Sequence, residues 1–209
     1  MNNVQEISSG GTKKSERRSH ILQIARTLIA AKGLRSLKVR DVASAAGCSI
    51  GTVYNEFEDF DELVLAVSRD TIGALDKALV AMAHADPAQH LHLLAQGYLD
   101  FATQHPNLLR ALFEHRMEGD RPLPDDFLDM VRTTFALMHA PLVRLLPDYP
   151  GDQVATLART MFSAAHGIIS LGLEERLVAV PPQSLRREVS FFVDTYLAGL
   201  GIKPSRDSQ

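Results

Sequence analysis

The segment from Ser49 to Glu56 carries short hydroxyl and amide side chains of the kind that contact nucleic acid. Hydroxyls can donate hydrogen bonds to phosphate oxygens, and the amide of Asn55 can pair with N6 and N7 of adenine. On a helix, the polar positions that face outward here are Ser49, Gly51, Thr52, Asn55 and Glu56. Such a face is small enough to enter a major groove about 12 Å wide. For Asn55, a solvated or phosphate-facing position is a nearly equal alternative.

The elements that would position these side chains are two short helices joined by a tight turn. Residues 39–57 place Ala43 four residues before Gly47, and Val53 six residues after it. In a helix-turn-helix, a small residue lets the helices approach, a glycine makes the turn and a branched apolar residue holds the second helix against the first. The spacing fits all three roles. An unrelated helical hairpin is the less favoured interpretation.

The flanking residues predict the rest of a small N-terminal domain. Residues 1–12 have a polar composition typical of a disordered arm. A first helix is predicted to begin near Ser15, a good N-cap, and to end at Gly33. Asp59 or Asp61 can cap a long fourth helix that connects two domains. The predicted divisions are a disordered arm over 1–12, a helix-turn-helix domain over 13–60 and a ligand-binding and dimerisation domain over 61–203.

Prolines divide the second half of the chain into helical segments. Ala and Leu recur at spacings of three and four residues, and proline is favoured in the first turn of a helix. Five helices are predicted there, over residues 87–103, 106–117, 124–146, 152–178 and 183–199. Together with the four before them they make about nine. The fold class is therefore all-α, with an N-terminal three-helix helix-turn-helix domain and a C-terminal helical bundle.

The formal net charge of −3 conceals a difference between two parts of the chain. Residues 1–57 hold nine Lys and Arg against four Asp and Glu, a net charge of +5, whereas the remainder carries −8. A basic head on an acidic body suits a protein that places one end on a polyanion, although charge runs are more often only solvated faces.

In one-letter code, residues 39–57 read VRDVASAAGCSIGTVYNEF, and this segment resembles the N-terminal domain of the TetR family of bacterial transcriptional regulators. The resemblance covers roughly residues 18–64. The matching positions are Val39, Arg40, Asp41, Ala43, Ala46, Gly47, Ser49, Gly51, Thr52, Val53, Tyr54, Phe57 and Leu63. The resemblance implies a homodimeric repressor that binds a palindromic operator in double-stranded DNA and is released by a small, mostly apolar effector.

The resemblance also implies roles for individual residues. Thr52 and Tyr54 match the family's phosphate-contacting hydroxyls, and Ser49 and Asn55 lie where bases or the DNA backbone are contacted. The cations before the first helix that could reach phosphates or a minor groove are Lys14, Arg17 and Arg18. The predicted set of DNA-binding residues is Lys14, Arg18, Lys38, Ser49, Thr52, Tyr54 and Asn55.

Three positions depart from the family pattern. Lys38 stands where a threonine usually caps the second helix, Glu56 replaces a histidine or tyrosine, and Asp61 replaces a lysine that often meets phosphate. Two acids close to the DNA backbone would repel it. We therefore predict modest affinity with a shallow salt dependence, or an operator contacted mainly through the arm and the third helix. The acids also leave open a helical regulator that acts through a protein partner with weak or no DNA binding.

By the same resemblance, the C-terminal domain dimerises through its last two helices. The final helix carries an apolar stripe of Leu185, Val189, Phe192, Val193, Tyr196, Leu197 and Leu200. The small residues of the helix before it, which permit close helix approach, are Ala164, Ala165, Gly167 and Gly172. We predict that these two helices form the dimer interface. The alternative is that one stripe belongs to the core of a single chain.

The resemblance further implies an effector pocket inside the C-terminal domain. Residues 162–167, FSAAHG, are similar to the W-x-x-x-H-G stretch of one subgroup, with Phe162 in place of the tryptophan. Effector pockets are mostly apolar with a few polar groups. The candidate ligand-binding residues are Tyr98, Phe101, Phe113, Met117, Phe135, Met138, Phe162 and His166. Residues at such spacing belong to a core more often than to a pocket.

Other kinds of protein are disfavoured by what the sequence lacks. The single cysteine, Cys48, is interpreted as a small apolar side chain rather than a redox switch. The histidines lack the spacing of metal ligands, so neither metal nor cofactor is predicted. The sequence offers no nucleophile with a base, no inward pair of carboxylates and no phosphate loop, so an enzyme is not predicted. The longest uncharged stretch in the apolar C-terminal region, 160–173, falls short of the ~20 residues of a membrane span, and the cytoplasm is the expected compartment.

Overall fold

The computed structural model describes residues 5–174 and 180–202, with the side chains of residues 14–119, 121–174 and 180–202. Within these ranges the chain is all-α, as predicted, and contains no strand. The nine α-helices found there are α1 (Gln5–Lys32), α2 (Val39–Ala45), α3 (Ile50–Glu56), α4 (Phe60–Val80), α5 (Pro87–Gln104), α6 (Pro106–Glu114), α7 (Asp125–Leu145), α8 (Gly151–Gly172) and α9 (Pro182–Gly199).

The chain divides into two compact units, and α4 contributes to both. The first unit comprises residues 1–71 and 105–124, and the second comprises residues 72–104 and 125–209. The sequence instead predicted a boundary between residues 60 and 61. The first unit extends further than predicted because Leu63, Ala66 and Val67 of α4 join its core and because α6 packs against α1. Asn107 of α6 donates a hydrogen bond to the carbonyl of Ala30 over 2.9 Å, which ties this distant segment to the first unit.

The core of the first unit forms where the apolar faces of α1, α2, α3 and α6 meet. Ile21, Ala25 and Ile29 recur every four residues on α1, so their side chains share one face. They pack with Val53 and Phe57, which are completely or almost completely buried. Burial of each large side chain stabilises the unit by about 1.5–3 kcal/mol. This core fixes the orientation of α3.

The turn between α2 and α3 follows the prediction for a helix-turn-helix. Gly47 has a φ of 66°, a conformation that a side chain would strain. Ala43 and Val53 are buried as their predicted roles require. Cys48 is half-buried beside the core, and its thiol is free. The geometry of the turn was therefore predictable from local sequence.

The first residues of α1 and α4 can be compared with two predictions. α1 begins at Gln5, ten residues before the predicted start at Ser15, and so includes residues 5–12 of the predicted arm. Residues 1–4 lie outside the described residues. The segment that extends α1 contains Gly10 and Gly11, which are poor helix formers, so local propensity does not explain the extension. Asp59 caps α4, as predicted, because its Oδ1 accepts a hydrogen bond of 2.7 Å from the backbone N–H of Glu62.

The second unit is a bundle in which α5 and α8 each pack against α7 and α9. The Tyr196 hydroxyl of α9 donates to the carbonyl of Leu157 in α8 over 2.8 Å. Gly172 marks a close approach between the same helices, since a Cβ at this position would lie 2.5 Å from Cδ1 of Leu185. By contrast, nothing lies within 4 Å of the corresponding point at Gly167. Of these two small residues of α8, only Gly172 lies at a close approach to α9 within the same chain.

Gly172→Ala is expected to destabilise the protein by about 1–3 kcal/mol, because the fully buried Leu185 side chain would have to shift to make room for the new methyl group. Gly73→Ala is the matched control, since Gly73 lies inside α4 with nothing within 4 Å. That substitution should instead stabilise by up to about 1 kcal/mol. Urea unfolding measures both, and a neutral or stabilising Gly172→Ala would contradict the close approach of α8 and α9.

One described helix, Gly151–Gly172, is long and apolar enough by composition to cross a membrane. Core helices of soluble proteins pass the same test, and this helix buries Val154, Met161 and Ile169 against the rest of its unit. Packing within the unit therefore accounts for part of its apolar character.

Candidate functional site

The start of α3 is organised by two of the three hydroxyls predicted to contact DNA, those of Ser49 and Thr52. Ser49 is the N-cap, and its Oγ accepts a hydrogen bond of 3.1 Å from the backbone N–H of Thr52. The two side-chain oxygens also lie 2.9 Å apart and share a hydrogen bond. Ser49 thus has a structural role that its predicted role did not include. Each hydroxyl keeps a further lone pair, so the side chains of Ser49 and Thr52 can still form hydrogen bonds with a ligand.

Tyr54 and Asn55 are the most available polar side chains of α3. Tyr54 is 45% exposed and Asn55 is exposed as well. Neither has a side-chain hydrogen bond to another described residue. Their neighbours Val53 and Phe57 are buried, so the helix presents these two groups from a fixed backbone. Positions that are rigid but unpaired suit recognition of an external partner.

The predicted basic residues differ in how free they are. Lys14 and Lys38 are exposed. Lys38 precedes α2 but its side chain makes no capping hydrogen bond, because an ammonium group cannot accept one from a backbone N–H. Arg18 is engaged within the unit: its guanidinium lies 4.1 Å from the centre of the Phe57 ring, and it donates a hydrogen bond to the carbonyl of Glu56. Arg18 therefore holds the end of α3, and its role at DNA stays a prediction.

Glu56 does not face outward from α3, so that part of the sequence interpretation is wrong. Its side chain is only 1% exposed, and Arg17 donates a hydrogen bond of 2.6 Å from Nε to its Oε1. A glutamate at the end of a seven-residue helix can turn towards α1, where a cation neutralises it. The residue predicted to repel DNA is instead part of the contact between α1 and α3.

Asp61 is also buried, which overturns its predicted place at the phosphate edge. Its Oδ2 accepts a hydrogen bond of 2.7 Å from the backbone N–H of Glu118, and Arg121 lies 3.6 Å from the same oxygen. Its Oδ1 lies 3.4 Å from Nε2 of His115. The carboxylate therefore joins the first turn of α4 to the segment that follows α6.

In the second unit, four of the eight candidate ligand-binding residues form one aromatic cluster. Phe162 of α8 makes edge contacts with Tyr98 of α5 at 5.5 Å and with Phe135 of α7 at 4.8 Å between ring centres. It stacks on His166 one turn later, at 5.8 Å. The Tyr98 hydroxyl shares a hydrogen bond of 2.8 Å with Nδ1 of His166. We call these four residues the aromatic cluster.

Of the polar groups of the aromatic cluster, Tyr98 is buried and His166 is half-buried. Burial raises the pKa of the Tyr98 phenol well above its usual range and lowers the pKa of His166. Both groups are therefore neutral at pH 7. Ser170, four residues after His166 on the same helix face, lies 3.2 Å from its Nε2. Sequence reasoning missed Ser170, although its i+4 spacing from a candidate histidine was a usable signal.

The other four candidates differ in burial and in the unit to which they belong. Phe101 is buried on α5, and Met138 is half-buried on α7. Phe113 and Met117 belong to the first unit, where Phe113 is 44% exposed and Met117 is buried. The predicted set of eight is thus divided between the units. In the ranges that the structure describes, no group of three His, Cys, Asp or Glu could hold a metal ion.

The stability of the protein is expected to fall as the pH is lowered from 7.5 to 5.5. Burial lowers the pKa of three histidines below the usual 6.5, namely His90, His115 and His166. Below pH 6.5 the unfolded chain therefore binds protons that the folded chain does not, and unfolding is favoured. His166→Gln should reduce this pH dependence, because it removes one of the three histidines whose pKa is lowered by burial. Urea unfolding at several pH values measures the free energy of unfolding. Equal stability at pH 7.5 and pH 5.5 would contradict the burial of these imidazoles.

Family models match both units of the chain. A model of the bacterial regulatory proteins of the tetR family covers residues 21–67, and a model described as a tetracyclin repressor-like C-terminal domain covers residues 91–196. The second match alone spans half of the sequence. The chain belongs to the TetR family. It is therefore a transcription regulator with a helix-turn-helix DNA-binding domain, as the sequence predicted.

Individual TetR-family relatives agree in fold more than in sequence. The transcriptional repressor KstR2 of Rhodococcus jostii is 45% identical over 56 residues, which are 27% of this chain and 28% of that relative. The transcriptional regulator AcrR of Shigella flexneri is 26% identical over 194 residues, 85% of this chain and 86% of the relative. A TetR-family regulator from Streptomyces coelicolor has a TM-score of 0.67 at 19% identity, covering 90% of this chain and 81% of that one. The last likeness confirms the fold, with its N-terminal helix-turn-helix and C-terminal helical domain.

Proposed function

We propose that the chain is a cytoplasmic TetR-type repressor that binds a palindromic operator as a homodimer and is released by a small, mostly apolar effector. The observation that carries the proposal is the presentation of Tyr54 and Asn55 on α3. Both side chains are exposed and unpaired within the described residues, while the same helix is anchored through buried Val53 and Phe57. A helix held in this way can enter a major groove without losing its fold.

DNA binding is tested by an electrophoretic shift with the DNA upstream of the chain's own coding region, against a random duplex of equal length. We expect retardation of the upstream fragment at protein concentrations that leave the random duplex free. Equal binding to both would contradict sequence recognition. A regulator that works through a protein partner alone is not favoured, because the two acids that suggested it, Glu56 and Asp61, are buried.

Support for a homodimer comes from apolar side chains that the described chain leaves uncovered. In α9, the predicted interface residues Leu185, Val189, Val193 and Leu197 are buried within the chain itself, so this part of the stripe is intrachain core. Phe191 of the same helix is 72% exposed, and Leu171 of α8 is 58% exposed. Large apolar side chains at adjacent helices favour an interface with a second copy.

Phe191→Asp is expected to weaken self-association at least about tenfold, because a carboxylate would have to lose its hydration at the interface. Glu188→Gln is the control, since Glu188 is an exposed residue of α9 whose change removes a charge without adding one. Sedimentation equilibrium measures both. Unaltered dimerisation of Phe191→Asp would place the interface elsewhere.

The effector part of the proposal is supported by the aromatic cluster. Phe135 and Phe162 provide apolar surface, and the Tyr98 hydroxyl and the His166 imidazole provide neutral hydrogen-bonding groups. This combination suits an aromatic or aliphatic molecule with one polar substituent. Thermal-shift screening should find such a ligand, since binding to the folded state alone raises the melting temperature. Tyr98→Phe should reduce the shift, and no stabilisation in any apolar class would count against sensing.

Release of DNA requires the effector to bind one conformation better than the other. α4 is continuous from the first unit into the second, so a displacement of its second half can reach the helix-turn-helix. Two recognition helices must stand ~34–36 Å apart to enter successive major grooves. We propose that the effector alters this separation.

A further inference from the structure

We propose that Glu56 is a positioning residue that holds Arg17 ready to bind a DNA phosphate. This inference rests on the proposed DNA-binding function and reverses the expectation that Glu56 repels DNA. It assigns a held orientation to Arg17, one of the cations that the sequence offered as phosphate ligands, and gives an acid at the end of the recognition helix a favourable part in recognition.

The contact leaves the outer part of the Arg17 guanidinium available. Glu56 accepts a hydrogen bond from Nε of Arg17, so the two Nη groups are not used by this ion pair. The Arg17 side chain is 52% exposed, against 1% for Glu56. Arg17 makes no further hydrogen bond to another described residue. Two Nη groups side by side match the oxygens of a phosphate, the bidentate geometry that makes arginine a strong phosphate ligand.

Burial makes the contact with Arg17 obligatory for Glu56. Its Oε2 is buried and has no hydrogen-bond partner among the described residues, so the carboxylate depends on the hydrogen bond at Oε1. A buried carboxylate without a cation is strongly disfavoured. The guanidinium is thereby held in one orientation before DNA arrives, which removes the entropic cost of ordering a long side chain on binding.

The position of the pair agrees with a contact at the DNA backbone. Glu56 is the last residue of α3 and directly follows Asn55, the candidate base reader. Arg18 fastens the same point by donating to the Glu56 carbonyl and covering the Phe57 ring. Phosphates border the groove that a recognition helix enters, so an exposed guanidinium at the end of α3 is placed to meet one.

Glu56→Gln distinguishes a positioning role of Glu56 from repulsion of DNA, because the two roles predict opposite changes in DNA affinity. If Glu56 repelled DNA, removal of its charge would strengthen binding. If it positions Arg17, binding should weaken roughly tenfold although the protein becomes more positive. Glu58→Gln is the matched control: Glu58 is exposed two residues away, and its neutralisation should leave binding unchanged or strengthen it slightly. The probe is a duplex selected by the wild-type protein from a random pool, measured by fluorescence anisotropy.

Arg17→Ala and Arg17→Lys complete the test. Arg17→Ala should reduce the slope of log K against log salt by about 1 for each subunit bound. Arg17→Lys keeps the charge but cannot bond Glu56 and phosphate with the same geometry, so it should also bind more weakly. Combining Glu56→Gln with Arg17→Ala should cost little more than Arg17→Ala alone. Melting temperatures identify a variant that fails to fold, in which case Arg17→Lys decides.

Unchanged or tighter binding by Glu56→Gln would overturn the inference, as would an Arg17→Lys variant with the affinity and salt slope of the wild type. In either case the wild type still binds its selected duplex, so the proposed function survives. Failure of the wild-type protein to select any duplex would instead overturn the proposed function itself.

Discussion

A protein with Tyr54→Ala and Asn55→Ala together is expected to bind a selected operator at least about a hundredfold more weakly than the wild type. Loss of one good base or phosphate contact costs about 1–3 kcal/mol, and a homodimer would lose each contact twice. Both side chains are exposed and unpaired within the described residues, so the melting temperature should hardly change. Fluorescence anisotropy with the selected duplex measures the affinity.

The single variants divide the two roles. Asn55→Ala should relax the preference at one base position, whereas Tyr54→Phe should weaken binding evenly across sequences. Ser44→Ala, on the exposed face of α2, serves as the control and should bind like the wild type. If the double variant kept its affinity and preference, α3 would not be the element that reads DNA.

Asp61→Ala is expected to destabilise the protein by about 1–3 kcal/mol, because it removes a buried carboxylate that accepts a part-buried backbone hydrogen bond. The backbone N–H of Glu118 would lose its acceptor, and His115 and Arg121 would lose a nearby carboxylate. Asp61→Asn keeps an oxygen that can accept from Glu118 and should cost less. Urea unfolding measures the change.

The same variant also tests the place of Asp61 relative to DNA. Asp41→Ala is the control for a simple loss of negative charge, because Asp41 is exposed on α2. A variant Asp61→Ala that is as stable as the wild type and binds DNA more tightly would show that the carboxylate faces the phosphates. The buried hydrogen bond predicts the reverse, a loss of stability.

Features set by neighbouring residues were predictable from the sequence. The turn at Gly47 and the cap at Asp59 depend on the backbone preferences of one or a few residues. The starts of the helices in the second half were predicted for the same reason, since proline restricts helix starts, whereas the ends predicted at residues 117 and 178 lie beyond those of α6 and α8. Residues 175–178 of the second of these predicted helices lie outside the described residues. The family pattern in residues 39–57 added the function of the N-terminal unit.

Features set by distant residues were not predictable in this way. Glu56 pairs with a residue 39 positions earlier, and Asp61 accepts from a residue 57 positions later. Both acids look exposed when only their own helix is considered. Their burial follows from the packing of α1 and of the segment after α6, which no local pattern encodes.

The candidate effector residues illustrate the same division. Tyr98 and His166 were identified by residue type, but their hydrogen bond joins α5 and α8 across 68 positions. Phe113 and Met117 fit the same composition and yet belong to the first unit, because α6 packs against α1. Residue type selects candidates, and only tertiary packing brings some of them together.

The most direct test of the central claim is the affinity for a selected palindromic duplex before and after five base pairs are inserted between its half-sites. The insertion adds about half a helical turn and places the second half-site on the opposite side of the DNA. A dimer that reads both half-sites should bind the altered duplex at least about a hundredfold more weakly than the intact one. Two chains should bind to each intact duplex. Equal affinity for both duplexes, or for a random one, would contradict the account.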